Sequence, residues 1–258
     1  MTMTVTQLAV AAAVFVLGAA IAVGAMLLLR KKDDNQGRVL AYRDTYEPLF
    51  ADLWSDEMHR RLAALFVAQR TAQTVADARG LGAVLISFVR RRLAAENGAP
   101  YEDVRLALTI LASAPVRRAQ TEGGQTVDLS GIDFRGAVLS GVNLAGFRLA
   151  QCVFDRCRLA GAKLTGADLS GASMMGADLH RADLRRADLS EADVTDADFT
   201  AASVGSAVFT NTNISGAILS EAGGLLQEQL DVAFGDSGTA VPARLRFVPG
   251  RSQRLRRE

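Results

Sequence analysis

From Ala177 to Phe199 the chain reads ADLHRADLRRADLSEADVTDADF, returning Ala, Asp and an apolar residue every five positions with two variable slots between. Five matches neither the 3.6-residue turn of an α-helix nor the two-residue alternation of a strand. With the frame set on the Leu, every fifth residue from 129 to 219 gives nineteen positions, all apolar: Leu eleven times, Phe four, Val twice, Met and Ile once each. Two residues earlier the slot is Ala at twelve of the nineteen, so small and large inward residues alternate. In extended backbone, residues two apart point the same way. Ala177 and Leu179 therefore face one side and Asp178 the other, after which His180 and Arg181 turn a corner and the pattern restarts. Repeated turns of one hand wind such a chain round an axis, with each Leu at the centre and the backbone paired to the coils above and below.

These residues resemble the pentapeptide-repeat family, A-(D/N)-L-x-x, over about Val127 to Glu221. The resemblance implies a right-handed, four-sided β-helix with twenty residues per coil. Nineteen pentads make nearly five coils, a column roughly 23 Å tall at strand spacing. Residues twenty apart are then expected to stack. One inner column is Leu129, Leu149, Leu169, Leu189 and Phe209, and another is Phe134, Phe154, Met174, Val194 and Ile214. The remaining central residues are Leu139, Leu144, Leu159, Leu164, Leu179, Leu184, Phe199, Val204 and Leu219. Outside, Arg158 is expected beside Asp178 and Lys163 beside Asp183. Burial of the central side chains is the main driving force, at about 1.5–3 kcal/mol each before chain entropy opposes it.

The remaining sequence divides by composition. Leu8 to Leu29 is 22 residues without a charge, about 33 Å as a helix and enough for a hydrocarbon core of roughly 30 Å. Arg30, Lys31 and Lys32 follow, whereas residues 1–7 carry no Lys or Arg. A signal peptide would carry its basic residues on the other side and a shorter apolar run. Residues 1–30 therefore read as an uncleaved single-pass transmembrane anchor, amino terminus outside and body cytoplasmic. Residues 31–37 form a polar juxtamembrane linker, and 38–120 read as a small α-helical domain. In it, Ser55 caps a helix with Met58, Leu62, Leu65 and Phe66 on one stripe. A second helix runs through VLISFVRRR to Asn97-Gly98, and a third buries Val104, Leu108 and Leu111 before Pro115. After the 127–221 β-helix, residues 222–236 are expected to form an amphipathic capping helix and 237–258 a basic tail. The fold class is α+β. Outward Val138, Val153, Val208 and Ile218 suggest helices packed over both ends, and bulky Ile132, Val142 and Phe147 an irregular first coil. The anchor, a helical (HEAT-like) segment and the repeat together resemble bacterial membrane-anchored pentapeptide-repeat proteins, which implies the bacterial inner membrane.

Chemistry finds little footing. The two cysteines, Cys152 and Cys157, fall at inner slots in place of Ala, and five apart is not a zinc spacing. Gly80-Leu81-Gly82 sits in a helical context without the strand and third glycine of a dinucleotide site. The Asp ladder at 168, 178, 183, 188, 193 and 198 is placed by the repeat and reads as solvated surface, with weak cation holding at Asp178 and Asp198 as the lesser reading. No catalytic residue, cofactor or metal site is expected. His180, Arg181, Arg185 and Arg186 make a basic corner that reads as a candidate docking surface. The tail, rich in Arg from 244 to 257, reads as solvated or in contact with anionic lipid. The expected function is a membrane-tethered cytoplasmic scaffold presenting a rigid β-helical surface to an unidentified protein partner. The alternative is the DNA-mimicking, topoisomerase-binding role of one branch of the family. That branch relies on a strongly acidic rod, whereas residues 127–221 hold twelve Asp and Glu against eight Lys and Arg. A nucleic-acid partner is not expected, since the net charge is only +1.

Overall fold

Each pentad forms one side of a square. In the computed structural model, which describes residues 51–71, 75–95, 101–114, 116–117 and 126–250, the amide of every central residue but Phe209 donates to the coil above, as Leu129 N does to Arg148 O at 2.9 Å. The amide just before it donates to the coil below, as Arg148 N does to Val127 O at 3.0 Å. A third bond, Ala137 N to Phe134 O at 2.9 Å, closes the corner between sides and recurs at the following ones. The second corner residue then lies at positive φ, as type II turns require; Gly136 has φ 67° and Gly166 φ 62°. Parallel bridges join residues twenty apart in four columns, one per side. The first side is Asp128, Arg148, Asp168, Asp188 and Val208, and the second Asp133, Val153, Ser173, Asp193 and Asn213. The third is Val138, Arg158, Asp178, Asp198 and Ile218, and the fourth Asn143, Lys163, Asp183, Ser203 and Gly223.

The column interior is apolar. All nineteen central side chains are buried, and the Phe134 and Phe154 rings stack with centroids 4.9 Å apart. Thr212 is the polar exception at an Ala slot, and its hydroxyl donates to Leu189 O at 2.7 Å. The first coil is regular despite its bulky inner slots, contrary to expectation. Ile132, Val142 and Phe147 are 2–5% exposed and the ladder is unbroken from Asp128 onward. Ile132 and Val142 have no coil beneath them, which leaves room for their size.

Among the described residues the helices whose full bounds are seen before the column are α1 (Met58–Thr71), α2 (Val75–Ala95) and α3 (Glu102–Leu111). Helix α3 packs against both others and buries Val104, Leu108 and Leu111. The expected stripe of α1 needs correction. Leu65 is buried, but Phe66 is 61% exposed, and the inward face is Arg61, Ala64, Leu65 and Ala68. The cause is Arg61, whose Nε lies 2.7 Å from the wholly buried Asp103 of α3 and turns the helix about its axis. Arg92 of α2 reaches the same Oδ2 at 2.9 Å, so one carboxylate ties all three helices. Trp54 packs near Phe88, with the Arg91 guanidinium over its ring.

The helices meet the column end-on. In every later coil, the carbonyls flanking the central residue accept amides from the coil below; the first coil has none below it. Arg90 of α2 supplies the donors, with Nη1 to Ser130 O and Nη2 to Asp128 O, both at 3.1 Å. Tyr101 Oη does the same for Arg135 O at 3.3 Å. The guanidinium, a planar fork of N–H groups, thus stands in for a missing strand. This contact leaves the flanks bare: Val138, Val208 and Ile218 are 42–47% exposed, so no described helix covers them as had been expected.

At the far end the helix of residues 222–236 is short. It spans only Gln227–Val232 (α4), because Gly223 and Phe234 stay extended to pair with Ser203 and Asn213, and Ala240 pairs with Ile218. The segment is an irregular extra coil in which α4 replaces one side, and Gln229 Nε2 donates to Val204 O and Ala207 O. Gly224 allows the approach: a Cβ there would lie 2.9 Å from Gly205 Cα. The start of the basic segment folds back onto this coil, with Arg244 Nη2 donating to Leu225 O and Arg246 N to Gln227 Oε1. Residues 251–258, the linker and the expected anchor at Leu8–Leu29 lie outside the described residues. Among the described residues no helix is long and apolar enough to cross a membrane.

Candidate interaction surface

The outward Asp residues build the corners they precede. Asp178 Oδ1 accepts His180 N at 3.1 Å, Asp183 Oδ1 accepts Arg185 N at 3.2 Å, and Asp188, Asp193 and Asp198 do likewise two residues on. This is the Asx-turn habit of Asp and Asn, which reading the ladder as mere solvated surface had missed. The Ser130 amide on Asp128 holds that carboxyl below its usual range, aided by the Ser130 hydroxyl. Among the described residues no three His, Cys, Asp or Glu side chains converge as a metal ion would need.

The basic residues do not share one corner. His180 and Arg181 form the corner before the fourth side, and Arg185 and Arg186 the corner after it. They flank a face whose central column is Asn143, Lys163, Asp183, Ser203 and Gly223. Backbone bridges put Arg158 beside Asp178 and Lys163 beside Asp183, but Asp183 takes Arg185 as its ionic partner, through Nε at 2.8 Å and Nη2 at 2.7 Å. The bidentate bond holds the Asp183 carboxyl well below its ordinary range and raises Arg185. Two residues along one corner suit this fork better than a side chain one coil away. Lys163, Arg181 and Arg186 are exposed around it, so the fourth face is basic.

The cysteines are core. Sγ of Cys152 lies 3.1 Å from Leu129 O and that of Cys157 lies 3.2 Å from Ala137 O; burial pushes the thiols up to about 11 and about 12. At pH 8 a thiol at 11 is thiolate in only about one molecule in a thousand. Folded protein is expected to give no label with a maleimide at pH 8, and two labels per chain after denaturation. Counting labels by mass spectrometry checks this, and rapid labelling of the folded form would contradict the inward placement.

The profile of the family described as pentapeptide repeats matches in eight copies, over residues 127–155, 152–190 and 192–222. No curated protein matches the chain. Among solved structures, a pentapeptide repeat protein from the Arabidopsis thaliana thylakoid lumen is 34% identical over 43% of this chain and 80% of its own, with a TM-score of 0.40. Another, from the cyanobacterium Cyanothece, is 23% identical over 45% of this chain and 64% of its own, with a TM-score of 0.33. QnrB1, a plasmid-mediated fluoroquinolone resistance protein, is 17% identical over 43% of this chain and 60% of its own, with a TM-score of 0.28.

Proposed function

The chain belongs to the pentapeptide-repeat family, and from that premise we propose that it is a membrane-tethered cytoplasmic interaction scaffold whose column presents a rigid surface to a protein partner, without catalysis. The observation that carries this reading is the fourth face. A basic belt of His180, Arg181, Arg185 and Arg186 stands at both of its edges, with Asp183 between them paired to Arg185, and the coils on either side present Lys163, Ser203, Gly161, Gly166 and Gly205. Long cations over small residues make a flat face that an acidic partner surface fits by charge. The rigidity comes from the continuous ladder, which leaves no side of a coil free to move alone. The apolar run at Leu8–Leu29 and the basic residues after it support tethering by a single helix at the bacterial inner membrane, and the Arg-rich tail supports added contact with anionic lipid. A DNA-mimicking role at a topoisomerase is disfavoured by the same face, since a basic belt interrupts the acidic surface that mimicry needs.

Crosslinking in intact cells, followed by identification of bound proteins, tests the reading against a chain carrying R181E, R185E and R186E. A partner held by the wild type and lost from the variant, with an unchanged melting temperature, is the expected result. The same set from both chains, or none from either, overturns it. Inhibition of gyrase supercoiling by the full-length protein would favour mimicry instead.

A further inference from the structure

Nine corners place a residue other than glycine at positive φ, although eleven glycines occupy that region of backbone elsewhere. Side chains rarely adopt it, because Cβ crowds the following carbonyl. Four of the nine are successive and charged: Arg181 (φ 56°), Arg186 (φ 59°), Glu191 (φ 61°) and Asp196 (φ 56°). They make one complete circuit of the square. Arg181 and Arg186 stand at the two edges of the fourth face, and Glu191 and Asp196 at the two edges of the second face, directly opposite. All four are exposed, and none has an ion pair within 4.0 Å among the described residues. The acidic side is reinforced by Asp193 in the column between its edges, and the basic side by Lys163.

We propose that this circuit is a self-complementary contact, by which the fourth face of one copy docks on the second face of another, all columns pointing the same way. Sliding a copy sideways without rotation sets Arg186 opposite Glu191 of the next copy and Arg181 opposite Asp196 of the next copy. The heights agree. With twenty residues per coil and a coil spacing near 4.8 Å, five residues climb about 1 Å and fifteen about 4 Å. Both offsets are within reach of an Arg side chain. Because the two faces differ, the contact does not close on itself and repeats as an open row. The inference rests on the reading of the column's outer faces as docking surface, and it names a second copy as the occupant.

Sedimentation of the full-length protein in mild detergent tests it. At low ionic strength the wild type is expected to grow with concentration past dimer, and to revert to monomer in molar salt. R181E with R186E leaves both faces acidic, and E191K with D196K leaves both basic, so each double variant is expected to stay monomeric. Mixing the two, or combining all four substitutions in one chain, restores complementarity and the growth. A wild type that stays monomeric at low salt, assembly unchanged in the double variants, or no recovery in a quadruple variant that melts like the wild type each overturns the row. The heterologous partner in cells is unaffected by E191K and D196K, which separates failure of the row from failure of the scaffold reading.

Discussion

Leu179→Asp is expected to remove the column's cooperative melt. Leu179 is fully buried, lies between Leu159 and Phe199 in its stack, and anchors its side through the bond from its amide to Asp198 O at 2.9 Å. Truncating a buried Leu costs about 2–5 kcal/mol, and an unpaired carboxylate there adds several more or forces its own protonation. The sum rivals the whole 5–15 kcal/mol that holds a typical domain together. A solenoid has only nearest neighbours to call on, so the coils on either side lose a packing surface at the same time. Thermal denaturation followed by circular dichroism reads the effect. Leu179→Ala, with a cavity and no charge, is expected to lower stability by about 3 kcal/mol and still fold. Asp178→Ala, one residue away and facing out, loses only a corner bond worth about 1 kcal/mol. A Leu179→Asp protein melting close to the wild type would mean that the inward register is wrong.

How far the sequence discloses this molecule depends on how many residues carry each signal. The column is legible because nineteen positions repeat one demand, a large apolar residue at the axis, and no local exception can hide it. The corners are half legible. Glycine at 131, 136, 141 and 146 announces positive φ, but Arg181, Arg186, Glu191 and Asp196 occupy the same backbone without a conformational signature in their residue type. Their charge pattern becomes visible only when the twenty-residue register is laid round a square. The Asp role at each corner was open to view in the two-residue reach of an Asx turn, and was obscured by the reasonable habit of assigning exposed carboxylates to solvent. The helical part misleads at single residues. Phe66 has the right spacing to be buried, yet a polar Arg61 takes the inward place, and apolar periodicity has no way to register a guanidinium in a core. Val138, Val208 and Ile218 mislead in the opposite sense: outward apolar residues suggest a cover, while the helices dock on the column's open carbonyls at its end.

That buried guanidinium carries the second large effect. Asp103→Ala is expected to unfold the helical part while the coils beyond it stay folded. The Asp103 side chain is 0% exposed and accepts Arg61 Nε at 2.7 Å, Arg92 Nε at 2.9 Å and the Val104 amide at 2.8 Å. Without it two guanidiniums, with side chains 8% and 12% exposed, lose the one carboxylate they share. Breaking a buried pair on one side costs about 3–5 kcal/mol, because the partner's charge stays buried. Helices α1 to α3 bury few apolar residues of their own and have little reserve against that loss. The damage is expected to reach the junction, since Arg90 lies two residues before Arg92 on α2 and holds the first coil's carbonyls. Hydrogen exchange separates the two regions: amides of α1 to α3 should lose protection by several orders of magnitude, while Leu159 to Phe199, paired to coils on both sides, keep theirs. Asp103→Leu is no remedy, because both arginines remain. Replacing Arg61 and Arg92 with Met together with Asp103→Leu removes the three charges of this cluster at once and is expected to regain most of the lost stability. Protected helical amides in Asp103→Ala would show that apolar packing alone holds α1 to α3, and that the carboxylate selects their orientation without supplying their stability.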